Sequence, residues 1–233
     1  MKKTTTSSPS NIISDHFRYE RKFFIEQISL LRLQTIIKFH PHCFTPLFPF
    51  RYINNIYFDT FQLDSYYNNV NGDMSRAKVR IRWYGDLWGH IESPVLEIKT
   101  KEGTIGHKES YPLPSMVLTP STIPSQLKKC LNSQTLPDYR FLQLNQLIPT
   151  LINRYGRYYF KSTLHPFRLT LDSYLSYYNP VSQSKLAFND TSSQILELKY
   201  PTNYDTIANQ YTSAFPFRVT KSSKYVMGMN YFY

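Results

Sequence analysis

From Phe17 onward, short runs of alternating apolar and polar residues recur, separated by clusters of Pro, Asn, Ser and Gly, which predicts a chain built largely of strands. In the cleanest run, Lys78-Val79-Arg80-Ile81-Arg82-Trp83-Tyr84, successive side chains point to opposite faces, so Lys78, Arg80 and Arg82 share one face and Val79, Ile81 and Trp83 the other. Val95 to Lys101 sets Glu97, Lys99 and Lys101 against Leu96 and Ile98. Phe167 to Asp172 sets Arg168 and Asp172 against Phe167, Leu169 and Leu171, and Ile195 to Tyr200 sets Glu197 and Lys199 against Leu196 and Leu198. Arg18 to Glu26 carries Arg18, Glu20 and Lys22 at the same step, although Arg21 interrupts its apolar side. Residues 53–59 place Asn55, Tyr57 and Asp59 opposite Asn54, Ile56 and Phe58.

Helical spacing is rarer. Gln27 to Lys38 brings Ile28, Leu31 and Ile36 to one side, with Pro41 just past its end. Tyr204 to Ala214 predicts another short helix, and the Pro-, Ser- and Leu-rich residues 112–150 predict one or two helices near 124–131 and 140–148. No internal repeat or clear linker appears, so residues 15–233 read as a single domain. Residues 1–14, basic at the start and then rich in Thr, Ser and Pro, read as a flexible tail without the apolar stretch of a secretory signal.

A single strand of this kind is ordinarily half buried with its charged side in water. Here, however, several strands carry paired charges at a strict two-residue step, mostly basic with an acidic residue among them, opposite faces rich in Leu, Ile, Phe and Trp. Such a chain can close a sheet whose polar faces look onto a wet interior and whose apolar faces are covered by helices.

Composition narrows the contents of that interior. Twenty Tyr, 16 Phe and 2 Trp give more burial capacity than a disordered chain carries, and no run approaches the ~18 apolar residues of a bilayer span. Against 16 Asp+Glu stand 27 Lys+Arg, a net charge of +11 that implies an anionic partner: nucleic acid, phosphorylated small molecules or an acidic membrane surface. With 7 Gly and neither G-x-x-x-x-G-K-[ST] nor G-x-G-x-x-G, phosphates would have to be held by side chains. Buried like charges are costly without a partner, and a polyphosphate relieves them through Arg forks and Lys point charges. Glu residues among those cations make sense if a divalent metal sits on the phosphates, since hard cations take carboxylate and phosphate oxygens together. Cys43 and Cys130 share no metal or redox spacing, which fits a reducing compartment.

These residues resemble the triphosphate tunnel metalloenzymes (CYTH-like superfamily), and within them the polyphosphate polymerase domain of the vacuolar transporter chaperone type. The resemblance spans about 17 to 228 and rests on the order and spacing of Arg18-Tyr-Glu20-Arg-Lys22, Ile56-Tyr-Phe-Asp59-Thr, Lys78-Val-Arg80-Ile-Arg82-Trp-Tyr84, Leu96-Glu97-Ile-Lys99-Thr, Gly106-His-Lys108-Glu, Asn153-Arg154, Phe167-Arg168-Leu-Thr-Leu-Asp172, Leu196-Glu197-Leu-Lys199 and Lys221-Ser-Ser-Lys224. It implies an α+β fold, a closed antiparallel barrel of about eight strands with helices packed outside. By position, it implies phosphate binding by Lys22, Arg80, Arg82, Lys99, Lys108, Arg154, Arg168 and Lys199, with Lys221 and Lys224 closing the site. Glu197 then looks like the principal ligand of Mn²⁺ or Mg²⁺, with Glu20 and Glu97 as further acidic lining of the metal site that would position the metal or a water. Arg80, Arg82, Arg168, Lys99 and Glu197 would carry catalysis. The wider superfamily begins Glu-x-Glu-x-Lys where this chain has Arg18, which weakens a two-metal hydrolase.

The implied reaction moves the γ-phosphoryl group of ATP to the end of an inorganic polyphosphate chain and releases ADP. Tripolyphosphate or organic triphosphate hydrolysis on the same tunnel is the alternative enzyme, and a polyphosphate or nucleotide sensor without turnover the alternative binding protein. Nucleic acid is not the expected partner, because interspersed Glu would repel its backbone and most Tyr and Phe belong to the core. His40-Pro-His42-Cys43 lacks a second cluster at zinc spacing. The segment Asp59–Tyr66 reads as structural. A stand-alone cytoplasmic enzyme without a transmembrane segment is expected, with any membrane partner protein unidentified.

Overall fold

The computed structural model describes residues 18–103, 105–121, 127, 144, 146–180 and 187–233. In chain order the elements are β1 (Arg18–Ile25), α1 (Leu30–Lys38), β2 (Phe44–Asp59), α2 (Asp64–Asn71), β3 (Ser75–Tyr84), β4 (Gly89–Ile91), β5 (Val95–Glu102), β6 (Ile105–Pro112) and β7 (Met116–Leu118). They continue with β8 (Ile148–Ser162), β9 (Arg168–Tyr178), β10 (Ala187–Asp190), β11 (Gln194–Pro201), α3 (Asp205–Ser213) and α4 (Lys224–Met229). The expected tail, most of the two helices expected near 124–131 and 140–148, and Cys130 lie outside the described residues; Ile148 itself begins β8. No helix among the described residues is long and apolar enough to cross a membrane.

The main sheet is antiparallel in the order β1-β11-β9-β8-β2-β3-β5-β6, with β10 added beside β9. β1 and β5 are six steps apart in that order, roughly 29 Å if the sheet were flat at ~4.8 Å per strand. Yet Lys99 Nζ on β5 lies 3.7 Å from Glu20 Oε1 on β1. The sheet therefore curls until its two ends face each other across one concave face. The closed barrel expected from the sequence is not formed, because no backbone pairing joins β1 to β6 among the described residues. The outer edge of β1 is occupied instead by the C-terminal segment: Thr220 N–H donates to Lys22 O at 2.7 Å, and Phe24 N–H to Thr220 Oγ1 at 2.8 Å.

The convex face carries the apolar sides read from the sequence. Val79, Ile81, Trp83, Leu96 and Ile98 are buried beneath Ile91, Met116 and Leu118 of the β4–β7 pair. Phe23, Leu169, Leu171, Leu196 and Leu198 are buried beneath α1, through Leu33 and Ile37, and α3, through Ala208 and Tyr211. α1 starts where Ser29 Oγ accepts the Arg32 N–H at 3.3 Å.

Helices do not all lie outside, however. α4 packs against the concave face, where Tyr225 and Met229 join Tyr57, Leu151, Tyr155, Tyr177 and Ile195 in a third apolar cluster. The close approach needs Gly228, since a Cβ there would lie 2.5 Å from both Leu151 Cδ2 and Tyr177 Cδ1. Tyr225 Oη donates to Asp59 Oδ2 at 2.6 Å, and the same carboxylate accepts the Thr60, Ser65 and Tyr66 N–H groups that lead into α2. Asp59 is thus structural, as expected.

Candidate active site

The register places a belt of charge around the concave face. Glu20 pairs with Lys199 and Lys22 with Glu197 across β1 and β11. Lys199 Nζ sits 2.8 Å from Glu197 Oε1 and 3.3 Å from Glu20 Oε1, and Lys22 Nζ sits 3.7 Å from Glu197 Oε2 and 3.9 Å from Glu20 Oε2. Lys99 reaches Glu20 from the other end of the sheet. Burial alone would push Glu197 up, but Lys199 and Lys22 hold it well below the usual carboxylate range. Glu20 is also lowered: burial and Glu197 push it up, and Lys199, Lys99 and Lys22 outweigh them.

Glu97 organises a second group. Arg80 donates to Glu97 Oε2 from Nε at 2.7 Å and Nη2 at 2.6 Å, and Lys108 Nζ lies 2.6 Å from Oε1. Arg82 Nη1 is 3.6 Å from the same Oε2, while its Nε donates to Asn55 Oδ1 at 3.0 Å. Asn55 in turn donates to Asn153 at 2.8 Å, so the guanidinium is held by a buried amide pair. Against the cost of burial, Arg80, Arg82 and Lys108 hold Glu97 at about 2. Both oxygens of Glu97 face cations, as those of Glu20 and Glu197 do, and Glu97 gathers Arg80, Arg82 and Lys108 into a group of their own.

A third group lies on β8 and β9. Arg157 donates to Asp172 from Nε at 2.5 Å and Nη2 at 2.7 Å, and Lys224 Nζ is 2.5 Å from Asp172 Oδ2. Asp172 is fully buried and its carboxyl is lowered, because Arg157 and Lys224 outweigh burial. Arg157 takes the place expected for Arg154. Asn153, Tyr155 and Arg157 alternate onto the concave face, which turns Arg154 to the convex face, 4.1 Å from the Tyr52 ring. Past this point β9 carries an extra residue, Ser173–Ser176 opposing Arg154–Gly156, with Tyr174 left-handed at φ 55°.

The remaining expected residues divide. Arg168 lies in register with Lys199 and Lys161 on the concave side but is exposed, and neither it nor exposed Lys221 forms an ion pair among the described residues. Lys224 is drawn in. Besides Arg157, the sequence reading passed over Arg51, whose guanidinium lies 4.6 Å from the Tyr84 ring and 4.8 Å from the Tyr159 ring with Nε buried and unpartnered. It also gave no role to Lys78, although alternation had put that residue on the face of Arg80 and Arg82. Thr170 Oγ1, on the same face between Glu197 and Tyr159, is buried without a partner as well.

Among the described residues no three His, Cys, Asp or Glu side chains gather as a metal cage. His40 instead packs among Phe44, Tyr211 and Phe215, with Nε2 3.1 Å from Tyr211 O. The facing carboxylates of Glu20 and Glu197 do suit a hard divalent cation of the kind that takes one or two carboxylates and completes its shell with water and phosphate oxygens. For that, Lys22 and Lys199 would have to turn from the carboxylates to the phosphates.

Solved structures share this fold at low sequence identity. A candidate adenylate cyclase from Bacillus halodurans matches with TM-score 0.54 at 14% identity, over 89% of this chain and 94% of that one. Another from Vibrio parahaemolyticus matches at 0.51 and 13%, over 91% and 98% of the two chains. The PH1819 protein of Pyrococcus horikoshii matches at 0.51 and 10%, over 92% and 99%. At these identities the likeness shows the triphosphate tunnel fold alone. Comparison with curated proteins finds no match. The model of the VTC domain, by contrast, matches residues 17–233, almost the whole sequence, and the chain therefore belongs to the VTC domain family.

Proposed function

We propose that this chain is a metal-dependent phosphotransferase that moves the γ-phosphoryl group of ATP onto the end of an inorganic polyphosphate chain. A terminal oxygen of the acceptor attacks the γ-phosphorus, the bond from that phosphorus to the bridging oxygen breaks, and ADP leaves with the electron pair. The observation that carries this reading is the excess of cations on the concave face. Around Glu20, Glu97, Asp172 and Glu197 converge Lys22, Lys78, Arg80, Arg82, Lys99, Lys108, Arg157, Lys199 and Lys224. A polyanion is the partner whose charge this arrangement matches.

Phosphoryl transfer asks mainly for alignment and for cancellation of oxyanion charge. Arg80 and Arg82, aimed by Glu97 and Asn55, would grip the transferring group, and Arg157, pinned by Asp172, a neighbouring phosphate. Lys22, Lys99 and Lys199 would take further phosphate oxygens, and exposed Arg168 and Lys221 the outer part of the chain. Mn²⁺ or Mg²⁺, when held by Glu197 and Glu20, would offset phosphate charge. Glu20, Glu97, Asp172 and Glu197 are all held below the usual carboxylate range, so none is tuned to take a proton from water near neutral pH. That favours a phosphate nucleophile, which needs no base, over hydrolysis.

Incubation with ATP and Mn²⁺, followed by a polyphosphate-stained gel and assays of ADP and orthophosphate, tests the proposal. It predicts a polyphosphate ladder with ADP. Orthophosphate without chain growth indicates the hydrolase, and binding without turnover the sensor.

A further inference from the structure

Lys78 differs from the other cations around the central carboxylates. Lys22, Arg80, Arg82, Lys99, Lys108 and Lys199 each lie no more than 3.7 Å from a carboxylate oxygen. Lys78 Nζ has no such neighbour among the described residues and donates instead to Ser223 Oγ, a neutral acceptor, at 3.0 Å. The charged groups that act on it most strongly are basic, Lys22 from β1, Arg76 and Arg80 from its own strand, and Lys99 from β5, its register partner, with Glu20 behind Lys22 and Lys99. The adjoining C-terminal segment also leaves Ser222 Oγ buried without a partner, while Lys22 Nζ donates to Ser222 O at 3.4 Å. A half-buried amine whose strongest charged neighbours are cations lacks one thing: an anion.

We propose that Lys78 is a further phosphate-binding residue of this site, and that a phosphate oxygen replaces Ser223 Oγ as its partner. The inference rests on reading the concave face as a polyphosphate site. It carries a consequence that a proton count can read. Burial, Lys22, Arg76, Lys99 and Arg80 push empty Lys78 down to about 7, so above that pH it is largely neutral. A phosphate partner favours the charged form, so binding at pH 8.5 draws a proton from solvent onto Nζ. At pH 6 the amine is already charged and no proton is taken up.

The test is calorimetric titration of the whole chain with sodium tripolyphosphate at pH 8.5 in two buffers of different protonation heat. Wild type should take up on the order of one proton per anion more than Lys78→Arg, which is charged at both pH values and meets the same titrating ligand, and that difference should fall toward none at pH 6. Lys78→Met should bind about tenfold to a hundredfold more weakly, as for loss of a charged hydrogen bond, with no loss of thermal stability. Equal proton uptake by wild type and Lys78→Arg at pH 8.5, or Lys78→Met binding as wild type, would each overturn the role of Lys78 while leaving the polyphosphate site standing. Failure of wild type to bind tripolyphosphate would overturn both.

Discussion

Replacing Arg157 by Met removes the guanidinium that meets Asp172 through two nitrogens, at 2.5 and 2.7 Å. Asp172, fully buried, would keep only Lys224, at 2.5 Å, as a cationic partner among the described residues. Stranding one charge of a buried pair costs ~3–5 kcal/mol, and the surviving lysine places this variant at the lower end, about 3 kcal/mol. For a chain of this size each kcal/mol moves Tm by about 2–4 °C, so a melt followed by circular dichroism at pH 7 should fall by roughly 6–12 °C. Adding Asp172→Asn removes the stranded charge and should restore part of that loss. Arg154→Met, on the convex face against Tyr52, should cost no more than about 1 kcal/mol. The pH dependence has a definite sign. Because Asp172 is lowered in the folded state, its stabilisation is full above its unfolded value of ~3.9 and is lost as pH falls through the folded value. The gap between wild type and Arg157→Met should therefore hold at pH 5 and close in stronger acid. A smaller loss for Arg157→Met than for Arg154→Met would refute the assignment.

Glu97→Gln removes the carboxylate shared by Arg80, Arg82 and Lys108 and should lower kcat by roughly 10²-fold through misalignment. Its KM for ATP should not rise, because the site becomes more positive; a raised KM with unchanged kcat in steady-state assays counts against an aiming role. Glu197→Gln should abolish both turnover and its response to added Mn²⁺ while metal-free tripolyphosphate binding survives, and full Mn²⁺-dependent activity in that variant would remove Glu197 from the metal site. Tyr225→Phe deletes the 2.6 Å hydrogen bond to Asp59 and should cost ~1.5–3 kcal/mol in a denaturant titration. An unchanged midpoint would show that α4 is not anchored there.

Much of the site could be read from alternation because the strands that build it are half buried. β3, β5 and β11 each have one face in the core and one on the charged concavity, so a two-residue step in the sequence is a two-residue step in space. β8 broke the reading for the opposite reason. Ile148–Ser162 has apolar or aromatic residues on both sides, Leu151, Ile152, Tyr155, Tyr158 and Phe160 among them, and no periodicity marks which arginine turns inward. The neighbouring Asn153-Arg154 pair therefore pointed to Arg154, although Arg157 is the arginine that turns to the concave face. Barrel closure failed because the sequence pattern cannot show that Thr220, far along the chain, pairs with the edge of β1. α4 escaped notice for its length: Lys224–Met229 is under two turns and owes its place to tertiary contacts through Tyr225, Gly228 and Met229.

Whether the converging cations act as one polyanion site is decided by thermal unfolding of wild type and Arg80→Ala/Arg82→Ala with and without tripolyphosphate. At a hundred times its dissociation constant, a ligand of the native state adds about 2.7 kcal/mol. Wild type should then gain roughly 5–11 °C in Tm. The double variant, in which buried Glu97 loses both guanidiniums and keeps Lys108 at 2.6 Å, should melt below wild type when unliganded, as Arg157→Met does, and gain little from the anion. An equal gain in both proteins, or none in wild type, would contradict the site.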